Sequence, residues 1–255
     1  MTPTPNGLVL PIAMAVAAGL VGSIAVMRRM TLAADAISHV ALPGVGIAIL
    51  LHFSPLVGAL AALLLGTLLV WAVDRQTRIP TEAIIGVVFS AALAIGSMLA
   101  SGEELIQALF GAPGTLGRAE VALGAVGAVA VIAFVLCARN RLLIRLVSTD
   151  LARTAGIDVA QLDLWFLLAF ALTVALGLRF LGVLLMGSLI IIPAATARQL
   201  ASGLGAMQII SVVIAVLATL AGALIAPSLH LASGPFTIVV AAAAFFASLA
   251  IRRRQ

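Results

Sequence analysis

Charge is what this sequence has least of. Charged residues make up 9% of the chain and hydrophobic residues 64%, against about 25% and about 45–50% in an ordinary soluble domain. So few charges cannot cover a soluble globule, and a disordered chain needs the opposite balance. Lysine is absent altogether: the 14 basic residues are all arginine. That excludes a phosphate-binding loop of the G-x-x-x-x-G-K-S/T kind, whose lysine reaches the β- and γ-phosphates. It also excludes a lysine Schiff base. If ATP drives this protein, another chain binds it. One cysteine, Cys137, rules out an internal disulfide or a cysteine cluster; among apolar neighbours it reads as a small buried hydrophobe. The net charge of +5 is not a nucleic-acid footprint, because the arginines are spread over short loops.

What is abundant is long apolar sequence, with a mean hydropathy of +1.29. Windows of about 20 apolar residues, the length that crosses a bilayer, fall near 8–27, 31–51, 55–73, 81–101, 119–138, 161–178, 181–198, 206–226 and 235–251. The runs are continuous rather than alternating, which argues against barrel strands. The expectation is an all-α, polytopic membrane bundle of about nine (8–9) transmembrane helices. Residues 1–255 form one transmembrane domain, with a cytoplasmic segment at about 146–160. No positive stretch precedes the first apolar run, so it is not read as a signal peptide. Arg28, Arg29, Arg75, Arg78, Arg139, Arg141, Arg145, Arg153, Arg198 and Arg252–Arg254 share one side of this alternation; only Arg118 and Arg179 fall on the other. The positive-inside rule makes the first side cytoplasmic, placing the N-terminus outside and the C-terminus in the cytoplasm. This topology needs a tight reversal within Gly177–Gly182.

Ionisable groups inside a span are functional candidates by default. Asp35 and His39 are spaced i, i+4 and share a helix face. At about 1.5 Å per residue His39 lies roughly 15 Å beyond Arg29, near the midplane of a core about 30 Å thick. A carboxylate and an imidazole one turn apart suit a divalent transition metal. The alternatives are a proton relay, and an Asp–His hydrogen bond that only neutralises both groups. Ser38 reads as a packing serine, and Pro43-Gly44 as a kink or end of the helix just above the pair. His52 and His230 fall on the outer side; His52 reads as a loop histidine, and His230 as either a loop histidine or an entry ligand. Glu103 and Glu104 lie in an outer loop, where they either solvate the loop or, with Glu120, attract cations to the mouth. Glu82 and Asp163 each open a span at its cytoplasmic edge, where a helix N-terminus favours a carboxylate. Between Arg139 and Gln161, Ser148 or Thr149 caps a short helix, Asp150 sits in its first turn and Gly156 stops it. That helix is either a surface linker or a docking element.

Three pieces of sequence carry a family likeness over essentially the whole chain. Arg28-Arg29-Met30 leads into Asp35-Ala36-Ile37-Ser38-His39, with Leu42 and Gly44 beyond. Ser148-Thr149-Asp150-Leu151-Ala152 is followed by Gly156. Gly182-Val183-Leu184-Leu185 precedes Ile191-Ile192-Pro193-Ala194-Ala195-Thr196-Ala197-Arg198, with Gly234-Pro235 downstream. In these the chain resembles the metal-cation (zinc/manganese) permeases of bacterial ABC importers, and is most similar to the high-affinity zinc uptake permease. The resemblance implies a multi-pass homodimer in the bacterial inner membrane. It would pair with two copies of a separate ATP-binding subunit and receive metal from an extracytoplasmic metal-binding protein. It implies no permanent cofactor, with Zn (or Mn/Fe) as transported substrate, and no enzyme activity in this chain. Asp35 and His39 fall where the family carries its pathway ligands. Asp150, Leu151, Ala152, Arg153 and Gly156 fall on its ATPase-coupling helix. His230 departs from the pattern, which more often has a carboxylate there. The Ile-Ile-Pro-Ala-Ala-Thr-Ala-Arg form resembles the zinc branch, while ligand chemistry does not separate zinc from manganese or iron. The competing classes are a proton-coupled secondary transporter, which often shows inverted repeats, a membrane enzyme, and a permease for siderophore or cobalamin. No clear repeat or nucleophile motif is present, and a buried Asp–His pair has little purpose for a bulky chelate.

Overall fold

The computed structural model describes residues 5–30, 36–77, 79–99 and 118–252. They form helices α1 (Pro5–Met27), α2 (Ala41–Leu50, entered through a helical turn at 36–39), α3 (Pro55–Gln76), α4 (Thr81–Leu99), α5 (Arg118–Val147), α6 (Thr149–Thr154), α7 (Val159–Leu200), α8 (Leu204–Leu224) and α9 (Ser233–Arg252). A 3-10 turn, Ala226–Leu229, precedes α9. No strand occurs among the described residues. Among the described residues, seven helical segments are long and apolar enough to cross a membrane, and Ala36–Leu50 and Leu185–Leu200 are shorter apolar helices. The expected polytopic helical bundle is what the chain forms.

α1 is the hub. Its apolar window is 78% buried, against 22% for those of α4, α5 and α9. It packs on α5, α7 and α8, while α2, α3 and α4 form a second group joined to the first through α3 and α7. Backbones meet at small residues. A Cβ on Gly22 would lie 2.0 Å from the Ile190 carbonyl oxygen, and one on Gly19 2.7 Å from Cα of Val212. Beside it the Ser211 hydroxyl donates to the Gly19 carbonyl at 2.9 Å. Where water-driven burial is absent, such close approach and interhelical hydrogen bonding hold helices together. The peripheral side chains Leu65, Val87, Leu123 and Val239 are exposed. On a bilayer-spanning chain that surface meets hydrocarbon or another protein.

α7 is two antiparallel arms. Gly182 at its centre has φ 75° and ψ 172°, a conformation only glycine adopts readily. Its first arm reaches Arg28 through Asp163, and its last turn returns to the same end of α1, where Arg198 donates to the Val26 carbonyl at 3.3 Å. The reversal expected at Gly177–Gly182 therefore occurs. Two other expectations change. α5 runs on to Val147 rather than stopping near 138, because arginines extend a helix as readily as they end a span. Cys137 is exposed on α5: it lies on the outward stripe of a peripheral helix, not in the core.

Candidate functional site

His39 closes the helical turn at 36–39 and is only 9% exposed. Its partner in sequence, Asp35, lies outside the described residues, as do Glu103 and Glu104. The imidazole stands edge-on to Phe89 of α4, with ring centroids 5.4 Å apart. The residues after it are wedged in place. Val40 fills the space over Gly66 of α3, Leu42 that over Gly96 of α4, and Gly44 meets Gly58 of α3 backbone to backbone. The helix was expected to kink or stop just above the pair, at Pro43-Gly44. Instead it continues to Leu50, and the irregularity sits at Val40, whose N–H bonds the Ile37 carbonyl in a tighter i−3 turn. Pro43 explains the displacement: without an N–H it cannot bond the carbonyl of residue i−4, which is His39. The helical path continues, with Val40 at φ −62° and ψ −17°, so what falls at the buried histidine is a backbone hydrogen bond that Pro43 cannot supply.

The other two histidines have different surroundings. His52 and His230 are exposed and adopt left-handed backbone, with φ 55° and 56°. Each occupies the C′ position of a Schellman cap. His52 N–H bonds Ile49 and Phe53 N–H bonds Ala48; His230 N–H bonds Pro227 and Leu231 N–H bonds Ala226. Such bonds satisfy carbonyls orphaned at a helical end. No group of three or more His, Cys, Asp or Glu able to hold a metal occurs among the described residues.

At the arginine-rich end the structure assembles a site that the spacing did not show. A cavity of about 420 Å³ is lined by Arg28, Arg29, Trp71, Asp74, Thr81, Glu82, Arg145 and Asp163, among others. Asp163 was expected to favour a helix N-terminus. The helix in fact begins at Val159, capped by Asp158, whose carboxylate accepts from the Gln161 N–H at 3.0 Å. Asp163 lies a turn deeper and is committed elsewhere. One of its oxygens pairs with Arg28, and the other accepts from Arg145 at 3.1 Å. Arg28 also lies over the Phe166 ring at 4.8 Å. Burial pushes the Arg28 guanidinium below its usual pKa, and Asp163 opposes the shift; the group stays charged. The sequence signal for this was an aspartate placed one turn beyond an evident cap. Glu82 does lie in the first turn of α4, as expected. Asp74 accepts from the Thr81 hydroxyl at 2.6 Å, and the Trp71 indole N–H donates to the Ala160 carbonyl at 2.9 Å, fastening α3 to α7.

Arg145 ties this cavity to α6, donating to the hydroxyl of its first residue, Thr149, at 2.8 Å. Ser148 caps it, accepting from the Leu151 N–H at 3.3 Å, and Ala152 is buried. Gly156, at φ 75°, ends it in another Schellman cap, with Gly156 N–H on Arg153 and Ile157 N–H on Ala152. Asp150 and Arg153 form an exposed ion pair at 3.7 Å.

The comparisons with known proteins agree on family. Residues 3–252 match the ABC 3 transport family. Over 98% of its length the chain is 30% identical to the manganese import system permease protein ScaB of Streptococcus parasanguinis, covering 91% of it. It is 28% identical to the high-affinity zinc uptake system membrane protein ZnuB of Haemophilus influenzae, over 91% of each chain. A solved structure, PsaBC from Streptococcus pneumoniae in complex with Fab, contains a chain that superposes with a TM-score of 0.82 at 28% identity, over 95% of this chain and 89% of that one. The chain belongs to the ABC 3 transport family as a multi-pass membrane permease, a transport component whose ATPase is a separate subunit.

Proposed function

We propose that this permease imports a divalent transition metal, zinc in the first reading, by alternating access driven by its partner ATPase. It works as a homodimer of nine-span protomers, N-terminus outside, with two ATP-binding subunits and an extracytoplasmic metal-binding protein. The observation that carries the reading is His39: a buried imidazole four residues before Pro43 and one turn from Asp35 in sequence, within a membrane bundle. Two such pairs meeting at a two-fold axis supply four O/N ligands, enough for a tetrahedral site. The Asp150–Gly156 helix is read as the contact with the ATPase. Manganese is the second reading, favoured by the likeness to ScaB; an Asp–His donor set serves either ion.

The test is metal uptake by the complex reconstituted with its ATPase and binding protein. Even an outer-shell partner is worth about 10–100-fold in metal affinity. Asp35→Ala or His39→Ala is therefore expected to lower uptake by about tenfold or more while leaving assembly intact. Wild-type uptake by the double variant defeats the site. Uptake that persists without the ATPase favours a proton-coupled carrier instead. Competition between zinc and manganese separates the two metals.

A further inference from the structure

The charged cluster at the arginine-rich end joins α1, α6 and the first arm of α7. Arg145, near the end of α5, donates to the Thr149 hydroxyl at 2.8 Å and to Asp163 at 3.1 Å. Thr149 is the first residue of α6. Asp163, on the first arm of α7, uses its other oxygen for Arg28. Arg28 ends α1: its own N–H bonds the Ile24 carbonyl, and Arg29 and Met30 close the helix with N–H bonds to Val26 and Ala25. The chain then enters the segment that carries Asp35 and His39.

We propose that Arg145, Asp163 and Arg28 are a transmission relay, through which a displacement of α6 is passed to the end of α1 and so to the metal-binding segment. The inference rests on the metal-importer reading above. Three features argue for a relay rather than a simple fastening. Asp163 has both oxygens committed, one to each arginine, so it cannot turn without releasing one of them. The two guanidinium groups leave the trio with an excess positive charge. The adjoining cavity of about 420 Å³ brings Asp74 and Glu82 to the same space, so carboxylates other than Asp163 are at hand for Arg28 if Asp163 moves with Arg145. The physical warrant for coupling between distant sites is an element with two arrangements that both sites bias; the pairing described is the first arrangement, and the second is part of the proposal. All three side chains are positioning residues; none touches the metal.

The experiment compares metal-stimulated with basal ATP hydrolysis in the complete complex in lipid nanodiscs, with zinc or manganese and the binding protein supplied. Asp163→Asn keeps shape and removes charge. It is expected to abolish metal stimulation while basal hydrolysis, ATPase co-purification and equilibrium metal binding stay at wild-type levels. Arg28→Gln should do the same, and the Arg28→Gln/Asp163→Asn double variant should be no worse than either single one. Thr149→Val removes one partly exposed hydroxyl, so it guards against misfolding of the charge variants. It is expected to lower stimulation about threefold to tenfold, the value of one hydrogen bond. Full stimulation in both Asp163→Asn and Thr149→Val overturns the relay and leaves the importer reading standing. A wild-type complex whose hydrolysis no metal stimulates overturns both.

Discussion

Three side chains at helix ends hold a backbone conformation that glycine would hold more easily. Arg29, His52 and His230 sit at φ 60°, 55° and 56°, each at the C′ position of a Schellman cap, where Gly156 fills the equivalent place after α6. Left-handed backbone costs an ordinary residue about 1–2 kcal/mol, though histidine is among the residues enriched there. This separates the two readings of His230. If it only caps the 3-10 turn, His230→Gly should raise stability by about 1 kcal/mol, seen as a higher unfolding temperature of the purified complex, and leave uptake unchanged. A higher unfolding temperature with lost uptake would instead make His230 an entry ligand. The sequence placed this residue in its loop correctly. It gave no sign of the cap, because the usual marker of such a cap is a glycine and here the imidazole stands in for it.

At the scale of elements, apolar runs made the spans legible, and tertiary contacts decided the rest. α1, α3, α4 and the two arms of α7 lie close to where hydropathy put them, because a bilayer-length apolar run has no alternative but helix. The irregularity at Val40 lies about one helical turn before Pro43-Gly44, since proline acts on the carbonyl four residues back rather than at its own position. The partners of Asp163 were invisible because Arg28 and Arg145 are distant in sequence and meet it only through the packing of α1, α5 and α7. The contact that sets His39 in place is also non-local. A Cβ on Gly58 would lie 2.2 Å from the Gly44 carbonyl oxygen, so Gly58→Ala must part α2 from α3. Overpacking of this kind costs about 1–3 kcal/mol. Gly58→Ala is expected to lower the unfolding temperature and, because α2 begins beside His39, to reduce uptake as well. Gly86 on α4 is the control: nothing lies within 4 Å of a Cβ there, and Gly86→Ala should be neutral or slightly stabilising. Equal losses at the two glycines would mean that the close approach of α2 and α3 does not govern the site.

Across the whole molecule, the ends of α1, α3, α5 and the second arm of α7, together with the starts of α4, the first arm of α7 and α8, gather at one face. Arg28, Arg145 and Asp163 meet there, Arg198 reaches Val26, and Arg139 lies 3.0 Å from where a Cβ on Gly205 would be. That clustering is what the arginine pattern implied, since charges excluded from a bilayer must collect where the helices leave it. α6 stands at this face, outside the apolar spans, with Leu151 51% exposed. A single exposed leucine needs no partner to explain it, so the docking role proposed for α6 rests on what its substitution does. The neighbouring Asp150–Arg153 pair is too exposed to stabilise the fold appreciably, so α6 can be altered without unfolding the permease. Burying a leucine is worth about 1.5–3 kcal/mol, and about 1.4 kcal/mol is tenfold in affinity. Leu151→Asp should therefore weaken ATPase co-purification by about tenfold or more, with no fall in the unfolding temperature of the isolated permease. Reversing Asp150 and Arg153 together keeps their mutual pairing but inverts the charge shown to the partner, and should also weaken co-purification. If both variants retain the ATPase and hydrolyse ATP under metal stimulation as the wild type does, α6 is a linker and the docking surface lies elsewhere on this face.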